Sequence, residues 1–290
     1  MFRSETDDKF SKIPLNMKSI TTDEAIERVG GHHCFQCYVA LILTTCFCIT
    51  GMTSLGLPWL EKQPDPVECL QPNGSYEKCD WKDACKLGRD GFRYDMDKAI
   101  LNWRTDFKME CTDDRIIAFM GSGYFLGWMV TSPIWLRLAD VWGRRLMIHI
   151  SIIPHLILTA AFFLVTPANA EWLIIFINVM IGLKESMTSI VAYVLLSEMV
   201  SAKYRAYFSA ANNIYDGLQN ILISVMFYFG RDWHYVSYYY LAVLVLLFFV
   251  LFLVPESPRF LLSRKRYDKA RTVYARIARI NKREMFTEPL

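Results

Sequence analysis

The chain has 290 residues, 53% of them hydrophobic and 14% aromatic, with a mean hydropathy of +0.20 and a formal net charge of +3. A soluble domain averages ~45–50% apolar residues, and here the excess is gathered into runs, which points to an integral membrane protein. No nucleotide-binding glycine pattern, catalytic triad or metal-ligand cluster is legible, so neither an enzyme, a cofactor nor a bound metal is expected.

Residues 1–37 form a polar N-terminal segment. Glu5, Asp7, Asp8, Asp23, Glu24 and Glu27 are set there against five basic residues before position 30, which argues against an Arg-rich transit peptide; no cleavable signal precedes the first apolar run. Thr21-Thr22-Asp23-Glu24 reads as the capped start of a short juxtamembrane helix. His32-His33-Cys34-Phe35-Gln36-Cys37 packs four candidate ligands into six residues, a spacing that suits tetrahedral zinc poorly.

Six apolar spans follow, near 38–57, 116–136, 146–165, 173–196, 208–229 and 236–254. Each approaches the ~20 residues that carry a helix across ~30 Å of hydrocarbon. Helices are expected because open strands leave backbone groups unpaired in lipid. The first span occupies 38–60, the remaining five lie within 114–258, and the fold class is all-α and polytopic, with six transmembrane helices.

Residues 61–113 form a long loop between spans 1 and 2. It contains Cys69, Cys79, Cys85 and Cys111, an even number that allows two disulfides in any of three connectivities in an oxidising compartment. In a reducing space the same residues would be free thiols. Asn73-Gly74-Ser75 is a glycosylation sequon in this loop.

The spans carry polar residues that are costly in lipid unless used. Pro154 is expected to kink span 3, and the adjacent His155 reads as a packed, hydrogen-bonded histidine rather than a proton relay. Lys184 and Glu185 sit inside span 4. Span 5 places Asn212, Asp216, Gln219 and Asn220 on one helical face. Lys184 is fourteen residues before Glu198, ~21 Å along a helix, and Asp216 is eleven after Arg205, ~16 Å, so the two are expected to meet at mid-depth. These six polar residues are the candidate intramembrane site, either a substrate or ion site or an internal ion pair and polar face covered by protein. Tyr238-Tyr239-Tyr240 opens span 6 as an interfacial aromatic belt.

Lys and Arg crowd the 2–3 connection (Arg137, Arg144, Arg145), the 4–5 connection (Lys203, Arg205) and the tail at 259–290. The positive-inside rule puts these and both termini on the cytoplasmic or matrix side and the cysteine loop opposite. The tail reads as a basic juxtamembrane helix rather than a nucleic-acid binder.

Three loop motifs carry a resemblance. Arg137-Leu138-Ala139-Asp140-Val141-Trp142-Gly143-Arg144-Arg145 resembles the G-x-L-A-D-R-x-G-R-R/K signature of the major facilitator superfamily, between the right pair of spans. Glu198 through Arg205 resembles the E-x6-R element after span 4, and Pro255-Glu256-Ser257-Pro258-Arg259-Phe260-Leu261-Leu262 the P-E-S-P-R-W-L-L element after span 6. Thr105-Asp106-Phe107-Lys108-Met109-Glu110-Cys111 is similar to the T-E-W-D-L-V-C that closes the ectodomain of organic cation and carnitine transporters, and Gly30 through Gln36 to the stretch preceding their first span. The resemblance covers residues 22–281.

The resemblance implies half of a major facilitator fold. It also implies a cytoplasmic-face network of Asp140, Gly143, Arg144, Arg145, Glu198, Arg205, Glu256 and Arg259. The chain departs from the first motif at Leu136 and Val141. Family members have twelve spans and bind substrate between two six-span halves.

Two functions are therefore expected. One is a transporter-derived subunit retained in a larger membrane complex, a respiratory-chain assembly included; the missing half and the two departures favour it. The other is a transporter of small organic cations or zwitterions, working as a homodimer or with a second half. The partners are then the bilayer, other membrane subunits or a second copy, and a small organic ion, with no nucleic acid; the membrane is the plasma membrane or an organellar one such as the mitochondrial inner membrane.

Overall fold

The computed structural model describes residues 20–95 and 99–288, and the first nineteen residues of the polar N-terminal segment lie outside it. A short helix, α1 (Thr22–Arg28), starts with the Thr21 hydroxyl accepting from the Glu24 amide at 3.3 Å. The long α2 (Cys34–Leu60) then runs to the loop end of the molecule and bends by 41° between Ile49 and Ser54. Pro58 accounts for the bend, because its ring clashes with the carbonyl four residues earlier, that of Ser54.

The cysteine loop is a small folded unit. Strands β1 (Val67–Leu70), β2 (Tyr76–Lys78) and β3 (Phe92–Tyr94) form an antiparallel sheet in the order β2-β1-β3, with Cys69 opposite both Glu77 and Phe92. The β1–β2 turn uses Gly74 at φ 82° and an Asn73 side chain that accepts from the Ser75 amide at 3.0 Å. An all-α expectation misses this sheet because its strands are three or four residues long, too short to show alternation. Helices α3 (Trp81–Lys86) and α4 (Trp103–Asp106) complete the unit.

Disulfides join Cys69 to Cys79 and Cys85 to Cys111, which selects one of the three connectivities. The second ties α3 to the strap leading into the next helix across 26 residues, and a loop that long corresponds to about 3 kcal/mol of chain-entropy stabilisation. Peptide mapping without reduction should recover 69–79 and 85–111 pairs. Cys85→Ser with Cys111→Ser should expose the loop to protease well before Cys69→Ser with Cys79→Ser does; equal sensitivity would contradict this anchoring role.

The strap 99–112 binds the loop to the bundle. Asn102 Nδ2 donates to the carbonyls of Trp59 and Lys62, and Arg104 Nε to that of Glu61, all within 2.9 Å. Leu101 pairs with the loop beyond the fifth long helix: its amide donates to Arg231 O at 2.8 Å, and its carbonyl accepts from Trp233 N at 3.0 Å.

Five further long helices follow: α5 (Asp114–Trp142), α6 (Arg144–Ala161), α7 (Ala170–Met199), α8 (Arg205–Gly230) and α9 (Trp233–Val250). They alternate in direction. Helix α7 is central, packed against α2, α5 and α6; 67% of its most apolar stretch is buried, against 28% for α9. Outward faces are apolar, with Phe119, Met129, Ile157, Phe176 and Phe249 exposed, as a lipid-facing surface requires. By length and hydropathy α6, α7 and α9 can each cross a membrane, and bent α2 makes a fourth. Helix α8 falls short because of its polar face, and α5 because glycines, serines, Thr131 and Pro133 dilute its apolar residues.

At the terminal end, α10 (Pro258–Ser263) and α11 (Tyr267–Ile280) fold under the bundle. Buried Asn281 fastens this tail. It accepts from the Phe35 amide at 2.9 Å and donates to Val29 O, Gly30 O and Gln36 Oε1 within 3.0 Å, closing the exposed ends of α1 and α2.

Candidate functional site

Two constellations are built by these helices, one at the terminal end and one at mid-depth. The first centres on Arg144. Its guanidinium reaches Asp140 at 2.6 Å and Glu198 at 3.2 Å, while its ring-facing side lies over Phe260, 4.9 Å from the centroid. Glu256 Oε1 accepts from the amides of Arg144 and Arg145 at 3.1 and 3.3 Å, so a carboxylate caps the positive N-terminus of α6. Gly143 makes this possible: φ is 110°, and a Cβ there would run into the Glu256 carboxylate. Arg145 Nη2 donates to Phe252 O at 3.1 Å.

Arg205 and Arg259 stand apart from this cluster. Both converge on Asp23 of α1, at 3.2 and 3.0 Å, and Arg205 also donates to Ser197 O at 3.1 Å. The eight motif residues thus form two neighbouring groups rather than one network, and Asp23 is the member that sequence reasoning passed over. Nothing in its surroundings distinguished it from the other N-terminal acids, because the partner that defines it lies 182 or 236 residues away. Burial pushes the phenol of Tyr274 beside this group up, partly offset by Arg259.

The second constellation lies in the bundle. Lys184 and Glu185 are adjacent and almost fully buried, with Lys184 Nζ 3.1 Å from Glu185 Oε2. Lys184 does not meet Asp216. It turns instead toward α6 and bonds His155 Nδ1, and His155 Nε2 is 2.5 Å from Tyr240 Oη of α9. Asp216 is paired with the Cys48 thiol of α2. Helix length fixes only the position along each axis and leaves the azimuth open, and here the two side chains turn to different neighbours. Tyr240 also departs from the belt reading: Tyr238 is 57% exposed and stacks on Phe163, whereas Tyr240 is 5% exposed and faces inward.

Glu185 and Asp216 line one cavity of about 290 Å³ on the face formed by α2, α5, α7 and α8. Aromatic walls come from Phe47, Tyr124, Phe125 and Trp128, none of which the sequence singled out. Tyr124 is hydrogen-bonded to Ser54. Glu185 Oε1 is buried and has no hydrogen-bond partner among the described residues, as is true of both side-chain polar atoms of Asn212. Asn212, Gln219 and Asn220 do not line this cavity. Glu185 and Asp216 against Lys184 leave one formal negative charge, framed by π faces. Such a site suits a monovalent organic cation.

The chain belongs to the Major Facilitator Superfamily, which its residues 88–289 match. It is 27% identical over 197 residues to the organic cation transporter-like protein of Drosophila melanogaster, covering 68% of this chain and 34% of that protein. Against the organic cation/carnitine transporter 2 of Mus musculus it is 26% identical over 193 residues, 66% of this chain and 34% of that one. The chain therefore spans about a third of the length of these relatives. Its fold matches the xylose transporter XylE from E. coli in the inward-open state (TM-score 0.56, 13% identity, 85% of this chain and 56% of that one). The same proton:xylose symporter bound to 6-bromo-6-deoxy-D-glucose gives a TM-score of 0.60 at 14% identity, with 84% and 52% covered.

Proposed function

We propose that this chain forms a six-span transporter bundle that takes a small organic cation into the cavity between Glu185 and Asp216, and that a second six-helix bundle faces it there. The carrying observation is the aromatic cavity of about 290 Å³ that two carboxylate residues, Glu185 and Asp216, both line, with one excess negative charge beside the buried Lys184. Excess negative charge inside the bundle is costly unless a ligand completes it. The relatives are named for organic cations, and the terminal-end groups around Arg144 and Asp23 serve as the hinge of such a bundle.

In this reading α2 and α5–α9 are the six spans, the disulfide-bonded loop faces outward and the basic tail lies on the cytoplasmic side. The cavity opens on a bundle face, where substrate contacts both halves of a two-bundle carrier. A scaffold role in a larger complex, respiratory or otherwise, needs only a neighbour that satisfies the charges, and no feature of the site calls for that instead.

Tetraethylammonium binding to the purified chain in nanodiscs tests the site. Glu185→Gln and Asp216→Asn are each expected to weaken it at least tenfold, equivalent to about 1.4 kcal/mol. Trp128→Ala should weaken it less, because one cation–π contact contributes ~0.5–2 kcal/mol. Saturable uptake into proteoliposomes that Asp216→Asn abolishes would establish transport. Binding indifferent to both carboxylates would refute the site.

A further inference from the structure

A cavity of about 420 Å³ lies at the loop end, between the end of α2, the strap and the end of α8, and the cation site makes no use of it. Its charged lining among the described residues is Lys62, Asp65 and Arg231, which leaves one formal positive charge. Trp59, Phe227 and Tyr228 supply an aromatic wall, with the Trp59 and Phe227 rings stacked at 5.9 Å. Lys62 Nζ stands 5.5 Å from the centre of the Trp59 ring. Both bases are carried on pinned backbone. The Lys62 carbonyl accepts from Asn102 Nδ2 at 2.8 Å, and the Arg231 carbonyl accepts from the Leu101 amide at 2.8 Å. Two cations held on one cavity wall repel unless an anion joins them. A surplus of +1 is also the opposite of what an organic cation needs, so the ligand that fits here is of another class.

Tyr228 belongs to a second feature. Ile214, Leu218, Ile221, Val225 and Tyr228 recur at alternating steps of four and three, so they share one face of α8, and each is between 43% and 66% exposed. Asp216 is two residues from Ile214, ~200° around the helix, and turns inward to Cys48. The stripe therefore faces outward, away from the cation site. From Ile214 to Tyr228 it covers ~21 Å, more than the ~15 Å of hydrocarbon in one leaflet. Its Tyr228 end is part of the cavity wall, so a charged cavity and a membrane-length apolar stripe are continuous.

We propose that cavity and stripe together hold one phospholipid, with its phosphodiester between Lys62 and Arg231 and an acyl chain laid along α8. Ammonium and guanidinium groups recognise a phosphate oxygen through charge-assisted hydrogen bonds, which are roughly twice as strong as neutral ones. The acyl chain covers apolar surface that a soluble phosphate ester would leave bare. The surplus of +1 selects a headgroup of net charge −1, such as phosphatidylglycerol, over a zwitterionic one. A lipid held this way touches α2, the strap and α8 at once, and it fastens the disulfide-bonded loop unit to the bundle at the membrane surface.

The experiment places the full chain in nanodiscs of phosphatidylcholine and phosphatidylglycerol in equal parts, extracts it into detergent and weighs the retained lipid by native mass spectrometry. Wild type should keep one lipid, with phosphatidylglycerol enriched about fivefold or more, as one additional charge-assisted contact requires. Lys62→Gln and Arg231→Gln should each lose that enrichment. Ile221→Asn should lower retention of both lipids and leave their ratio unchanged. Lys269→Gln, an exposed base on α11 at the other end of the molecule, should behave as wild type. A separate measurement names the source of the phosphate: phosphatidylglycerol added to delipidated protein should raise its Tm, and sn-glycerol 3-phosphate should not. Wild type that carries the two lipids in their bulk ratio overturns the phosphate site, whatever the variants do. Enrichment that survives in both Lys62→Gln and Arg231→Gln overturns the assignment to these bases. Equal stabilisation by the soluble ester overturns the lipid in favour of a soluble anion.

Discussion

Arg144→Met should destabilise the bundle by about 3–5 kcal/mol, because it removes one member of a buried charge cluster and strands the others. The side chains of Arg144 and Glu198 are 10% and 9% exposed, and they face one another at 3.2 Å. Without the guanidinium, Glu198 is a carboxylate inside protein with no cation beside it. Asp140 is a different case. Although it makes the shortest contact to Arg144, its side chain is 68% exposed. Water screens that pair and solvates whichever partner remains, so Asp140→Asn should cost less than ~1 kcal/mol. The motif's aspartate is then less important to stability than the glutamate brought from α7. Thermal unfolding in detergent of Arg144→Met, Glu198→Gln and Asp140→Asn checks the order. An aspartate variant as unstable as the arginine variant would overturn it.

What the sequence disclosed follows from the length scale of each signal. Apolar runs of about twenty residues are local, so the positions of α2 and α5–α9 were legible, as was the cysteine-bearing loop, though not the small sheet into which it folds. Distance along a helix axis is likewise local, because rise per residue is fixed. Which way a side chain points within a bundle is not. Lys184 turns to α6 and Asp216 to α2, and only packing decides that. Tyr240 looked like one of three belt tyrosines, but adjacent helical residues differ by ~100° in direction, so three in a row cannot all share one face. Asp23 and Asn281 were illegible for another reason. Their partners lie some two hundred residues away in the chain, and nothing in a polar terminal segment marks the single residue that docks. The aromatic walls of the cavity were hidden in plain composition, since membrane helices are aromatic on their lipid faces as well.

The most damaging single methyl group in this protein should be the one added by Gly182→Ala. Helices α5 and α7 cross in backbone contact, and a Cβ on Gly182 would fall inside the carbonyl group of Tyr124. A Cβ on Gly127 from the other side would stand 2.7 Å from Val179 O and 2.8 Å from Leu183 N. Backbone cannot swing aside as a long side chain can, so the helices must separate. Small residues at such crossings let membrane helices approach closely, and the attraction there is van der Waals contact that decays steeply with separation. Separation also strains the bonds that stitch the crossing: Trp135 Nε1 to Leu183 O at 2.6 Å and Asn178 Nδ2 to Met120 O at 3.1 Å. The expected loss exceeds ~4 kcal/mol, at the extreme of single substitutions. Gly217→Ala on α8 is the control, since nothing lies within 4 Å of its added Cβ. There the change should raise stability by ~0.5–1 kcal/mol through helix propensity alone. The consequence reaches function, because the same crossing holds Tyr124 against Ser54 and sets Glu185 at the cavity wall. Gly182→Ala protein that can be recovered should therefore lose tetraethylammonium binding along with its Tm. A Gly182→Ala variant as stable as Gly217→Ala, with binding intact, would show that α5 and α7 do not cross this closely.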